Sequence, residues 1–154
     1  MTTLIQVTQS LDSIDLHLVA EYSKKIKDVG NAFNKIMAPT FLRDFIIGYD
    51  IIAVQLAKAI ETEIKAKSML EMTEAIAYLD KAPEFFKTRD EKPTVESRKA
   101  YVAMDQDVLR AKDIHARSVA MVSLLRSKAI EFKSAIDVTK DLARDGYMTP
   151  HENS

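Results

Sequence analysis

The chain of 154 residues has no cysteine, only three glycines and only four prolines. Without thiols it has no disulfide framework, no cysteine-bound zinc and no thiol nucleophile, which is compatible with a reducing cytoplasm. So few turn formers, beside many Ala, Lys, Glu, Ile and Leu, predict long helices rather than a sheet. Strong charge of either sign is also missing: the formal net charge is -1 and the pI is near 6.3. That balance argues against a histone-like or sequence-indifferent DNA coat and leaves room for local basic patches.

Long apolar runs are scarce as well. The longest, "FIIGYDIIAVQLAKAI", is cut by Asp50, Gln55 and Lys58 and falls short of the ~20 residues a membrane span needs. The start, "MTTLIQVTQSLDSID", has neither the basic part nor the continuous apolar part of a secretory signal. A soluble protein of the cytoplasm is expected, the host cytoplasm if a phage encodes it, with no membrane partner.

Catalytic patterns are absent too. His17, His115 and His151 are scattered over the chain, with no Glu-x-x-His or His-x-x-x-His spacing to hold a metal. There is no Gly-x-Ser-x-Gly, no glycine-rich phosphate loop and no kinase-like set. The expectation is a non-enzyme with no catalytic residues, no metal and no cofactor.

What is present is helical patterning, and 47% hydrophobic residues supply a core. The spacing predicts an all-α fold of about four helices, two of them long, joined by a Pro-bounded linker, in an extended bundle expected to oligomerise. The helices are placed at about 10–36, 40–81, 94–104 and 106–143, in one domain over 1–144, with a flexible tail over 145–154. Ser10, Asp12, Ser13 and Asp15 are candidate caps for the first, which carries Leu16, Val19, Tyr22, Ile26, Val29, Phe33 and Ile36 at spacings of three and four and ends before Pro39. Thr40 caps the second, whose stripe is Leu42, Phe45, Ile46, Tyr49, Ile52, Leu56, Ala59 and Ile60, and Pro83 is expected to close it.

"APEFFKTRDEKP" reads as a linker with a helical turn at Phe85 and Phe86, and Thr94 as the cap of the third helix. In "YVAMDQDVLRAK" no Gly or Pro marks a break, yet Asp105 suits an N-cap and Asp107 a first turn, where the helix dipole favours negative charge. Capping is preferred to acid–base or metal chemistry for this pair, because positions i and i+2 point to different sides of a helix.

The fourth helix is apolar on two sides. Ile114, Met121, Leu125, Phe132 and Ile136 form one strip; Val108, Val119, Val122 and Ile130 form a second, the candidate oligomer interface. A central bundle helix and self-association explain the pattern equally well. Between 110 and 133 six cations face two acids, and Arg110, Arg117 and Lys128 fall near one azimuth, either as a solvated face or as a row for phosphates. Around the linker Lys87, Arg89, Lys92, Arg98 and Lys99 alternate with Phe85, Phe86 and Tyr101. Cations beside aromatic platforms suit single-stranded nucleic acid, whose bases stack while its phosphates pair; packing between helices is the other reading, and Glu84, Asp90, Glu91 and Glu96 dilute the field.

"KPTVESRKAYVAMDQDVLRAK" followed by "LLRSKAIEFKSAIDVTKDLARDG" resembles the C-terminal part of the UvsY-like phage recombination mediators, over roughly residues 92–146, with "EYSKKIKDV" a weaker echo of their N-terminal helix. The resemblance implies a non-enzymatic, ring-forming homo-oligomer that binds single-stranded DNA and helps load the phage recombinase in place of single-strand-binding protein. Where those mediators have basic residues ahead of a Leu-Asp pair, this chain has Ile76 and Tyr78 in "AIAYLDKA", with Lys65, Lys67 and Lys81 nearby. A structural or assembly protein of a phage particle, self-associating without DNA, is the alternative.

Overall fold

A computed structural model describes residues 3–29 and 36–147, all helix, turn or coil with no strand among them. The expected all-α class is what the chain adopts. Its elements are α1 (Leu4–Asp12), α2 (Leu16–Val29), α3 (Ala38–Ile76), a π-helical turn (Ala77–Lys81), α4 (Ala82–Lys87), α5 (Val95–Met104) and α6 (Gln106–Tyr147).

The caps follow local chemistry. Thr3 and Gln6 form a reciprocal capping box at α1, ahead of the expected first start at residue 10. Asp15 opens α2 by accepting the Leu18 amide at 2.8 Å. Ser10 and Ser13 instead donate their hydroxyls to the Gln6 and Ser10 carbonyls. Residues 30–35, with the predicted Phe33, and the far end of the tail, with His151, lie outside the described residues.

The chain forms two compact units where the sequence predicts one domain over 1–144. Unit 1 comprises Met1–Ser13 and Lys58–Val122, and unit 2 comprises Ile14–Ala57 and Ser123–Ser154. One boundary falls between α1 and α2, and the other two fall inside α3 and α6, where no Gly, Pro or composition shift marks them.

In unit 1, Val7 of α1 packs with Ala66 and Met69 of α3 and Ala111 of α6, flanked by Leu4, Leu70 and Ile114. Here α3 and α6 run antiparallel: Glu74 pairs with Lys112 at 3.3 Å, and Lys81, beyond Glu74, reaches back to Asp105. Buried positions on α6 are Val108, Ala111, Ser118 and Val122, and on α3 Ala59, Thr62, Ala66 and Met69. Steps of three and four keep a 3.5-residue seam turned inward.

In unit 2 the same spacing continues through Phe45, Gly48, Ile52 and Gln55, and through Leu125, Phe132, Ile136 and Thr139. Gln55 accepts the Asp15 amide at 3.0 Å, fixing the turn before α2. Small and hydroxyl residues hold seam positions in both units, and Thr62, Ser118 and Thr139 satisfy their hydroxyls on the carbonyl four residues back.

This seam corrects the two-strip reading of α6. Val108 and Val122, assigned to an exposed interface, are 0% and 2% exposed and belong to the core of unit 1. Val119 and Ile130 lie on the outside, at 42% and 68%. The strip mixed two faces because a 3.6-residue projection drifts by about 20° per heptad from a 3.5-residue seam. Pro83, expected to close the second helix, is also corrected: the helical path passes through it into α4. The Ala82 amide reaches the Ala77 carbonyl, five residues back, so the wider turn precedes a proline that sits in the first turn of α4, where an amide is dispensable.

Candidate nucleic-acid interface

The linker region forms a small, well-capped structure within unit 1, where α4 and α5 pack on the π-helical turn and on each other. After α4 the chain turns back through Asp90, whose φ is 57°. The Asp90 amide donates to the Lys87 carbonyl at 3.2 Å and the Glu91 amide to Phe86 at 3.0 Å, which is the Schellman pattern with aspartate in the left-handed position. Thr94 and Ser97 then cap α5 reciprocally. Asp105 ends α5 in extended conformation and caps α6, accepting the Asp107 and Val108 amides at 3.0 and 3.1 Å.

Lys81 ties the π turn to this cap. Its Nζ lies 2.6 Å from Asp107 Oδ2 and 3.1 Å from Asp105 Oδ2. Burial pushes the Asp105 carboxyl up, but hydrogen bonds from Lys81 and the two amides, with the lysine's charge, hold it below the usual aspartate value. Hydrogen bonds to Asp107 and then Asp105 raise Lys81 above the usual lysine value, against the cost of desolvation. The aspartates are therefore a cap and an ion-pair anchor, and Lys81 is already engaged by them.

The α4–α5 corner brings together the predicted aromatics. Phe85 meets Phe86 edge-on at 5.2 Å and Tyr101 at 5.1 Å between ring centres. Arg89 lies 4.2 Å over the Phe85 ring, and Arg98 lies 5.6 Å over Tyr78 on the π turn. An open groove of about 620 Å³ is lined by Phe85, Phe86, Tyr101, Met104 and Arg89, together with Asp105 and Asp107. Arg89 is exposed, as are Lys87, Lys92 and Lys99 nearby in sequence, and Arg98 is half-buried. None of these five forms an ion pair among the described residues, whereas Glu84, Asp90, Glu91 and Glu96 share their surface.

The other predicted cations do not themselves line this groove. Lys65 is engaged by Glu61 at 2.5 Å, Lys67 and Arg117 are exposed, and Arg110 is 4.0 Å from Asp107. Lys128 belongs to unit 2 and pairs with Glu131 at 2.6 Å, so the row read as Arg110, Arg117 and Lys128 divides between the units. Sequence reading missed the Tyr78–Arg98 contact, since π-helical winding is invisible to a 3.6-residue projection. No group of three or more His, Asp or Glu able to hold a metal occurs among the described residues. No helix among them is long and apolar enough to cross a membrane.

No protein-family model, no curated protein and no solved structure matches this chain. The class defined by the fold and the groove is thus an all-α protein with an aromatic and cationic surface corner.

Proposed function

We propose that this chain is a non-catalytic accessory protein that binds single-stranded DNA and assists recombinase loading as a homo-oligomer, in the manner of the UvsY-like phage mediators it resembles. The observation that carries the reading is the α4–α5 corner, where half-buried Phe85, Phe86 and Tyr101 line a groove with Arg89, and Lys87, Lys92 and Lys99 are exposed on the same stretch of chain. Rings receive bases and cations receive phosphates, and neither requires a sequence. A repeat of such weak contacts around an oligomer raises affinity through effective concentration. Host cytoplasm is the compartment this role implies, with recombinase and single-strand-binding protein as partners.

The test is fluorescence anisotropy of a labelled oligo-dT strand across a salt series. Binding should weaken steeply with salt, with a log–log slope of about -0.7 per phosphate contact. Replacing Lys87, Arg89, Arg98 and Lys99 together by Glu should abolish it while the helical circular dichroism persists. Undiminished binding in that variant would remove the corner from the interface.

A second reading is a particle structural or assembly protein that self-associates without DNA. It is favoured by the exposed Ile46, Ile47 and Val54 on α3, at 41%, 40% and 56%. Light scattering after size exclusion, with and without poly-dT, separates the two: a discrete oligomer that captures the strand and releases it in salt favours the mediator, and one indifferent to DNA favours the structural role.

A further inference from the structure

Three of the chain's buried helical hydroxyls, Thr62, Ser118 and Thr139, donate to the carbonyl four residues back, at 2.8, 2.8 and 2.6 Å. Ser23 on α2 does not. It is 6% exposed, and its Oγ has no hydrogen-bond partner among the described residues. A buried hydroxyl without a partner is costly, and such a group calls for an explanation.

Ser23 lines a cleft of about 440 Å³ within unit 2, between α2 and α6. Leu16 and Val19 precede it by seven and four residues, on the same helical face, and Leu124 of α6 closes the apolar wall. Lys24, Lys27 and Lys128 complete the lining with positive charge. Lys24 and Lys27 form no ion pair among the described residues, and Lys128 holds Glu131 with one of its three donors. The volume is that of a small-molecule site rather than of a packing defect.

We infer that this cleft binds a small amphiphilic anion: an apolar body against Leu16, Val19 and Leu124, and a carboxylate or phosphate head that accepts from Ser23 and the lysines. The apolar wall disfavours a fully hydrated ion, and three ammonium groups disfavour a neutral hydrocarbon. The unsatisfied hydroxyl is closed to solvent in the free chain, and rotation about the Ser23 Cα–Cβ bond is the movement by which it would meet the head group. This site is separate from the α4–α5 corner and does not depend on the DNA reading.

Calorimetric titration of the full chain, below the micellar concentration of each probe, tests it with decanoate, decyl phosphate, acetate and inorganic phosphate. Decanoate or decyl phosphate should bind one per chain, the tighter of the two identifying the head group. Acetate and inorganic phosphate should bind at least about ten-fold more weakly, because they leave the apolar wall unused. Lys24→Gln with Lys27→Gln should weaken the preferred probe about ten-fold, and Ser23→Val several-fold. Both lysines are exposed, so the double variant keeps the test valid even if Ser23→Val disturbs packing. No saturable binding of either amphiphile, binding unaltered by the double variant, or inorganic phosphate equalling decyl phosphate would overturn the inference. Displacement of the bound amphiphile by oligo-dT would overturn it too, by making the cleft a strand contact.

Discussion

Gly48 of α3 gives the Phe132 ring of α6 the space it occupies. A Cβ at position 48 would fall on the ring edge at Cε1 and lie 3.0 Å from Cδ1. Phe132 is fully buried, so its ring has no solvent side to move into. Gly48→Ala should therefore destabilise by about 1–3 kcal/mol despite alanine's better helix propensity. A smaller cost in a Phe132→Leu background, measured by urea denaturation in a double-mutant cycle, would locate the clash in that ring. A stabilising Gly48→Ala would refute the contact.

Lys81 and the cap at Asp105 should make unit 1 sensitive to both pH extremes. The Asp105 carboxyl is held below the usual aspartate value, so its stabilisation is complete above that value and is lost as pH falls through the lowered one. Lys81 is raised, so its contribution is complete below the usual lysine value and is lost as pH rises through the raised one. Denaturation of Lys81→Met across pH should show both dependences reduced. Asp105→Ala should cost about 1–2 kcal/mol at neutral pH through the lost cap alone, and an unchanged midpoint would contradict the capping role.

Asp90 occupies a backbone conformation that side chains disfavour, with φ at 57°. Asp90→Gly should stabilise by up to about 1 kcal/mol, and Asp90→Val should destabilise, since a β-branched residue tolerates that region worst. Thermal melts of the two variants would read the ordering directly. The reverse order would mean that the turn after α4 does not depend on the left-handed residue.

Val119 and Val122 are three residues apart and should behave in opposite ways. Val122→Asp places a charge in the core of unit 1 and should cost roughly 3–5 kcal/mol. Val119→Asp, on the outside, should stay within about 0.5 kcal/mol of the parent in the monomer. If Val119 contributes to self-association, scattering of that variant should show a smaller particle at unchanged helicity; an unchanged particle would exclude it from any interface.

Much of the fold was legible in local chemistry. Scarce Gly and Pro required helices, Thr94 and Asp105 announced their caps, and the helical turn at Phe85 and Phe86 exists as α4. The candidate corner was legible too, because its cations and aromatics are neighbours in sequence. The seam of α6 was not. Ala111, Ser118 and Thr139 carry weak apolar signals yet are fully buried, while Ile130 carries a strong one and is exposed.

The sequence by itself determined that this protein is helical and where the Asp15, Thr94 and Asp105 caps and the aromatic corner lie, because capping and helix propensity act over a few residues; it did not show the Thr3 cap, and Thr40, expected to cap the second helix, lies inside α3. Tertiary structure decided which face of each long helix is buried, how Pro83 is absorbed by a π turn, and that Lys81 meets Asp105 across 24 residues of chain. It also brought Ser23 beside Lys128, which no local pattern joins. Such choices depend on the partner helix, whose small and polar side chains allow close approach where hydrophobicity alone marks no contact.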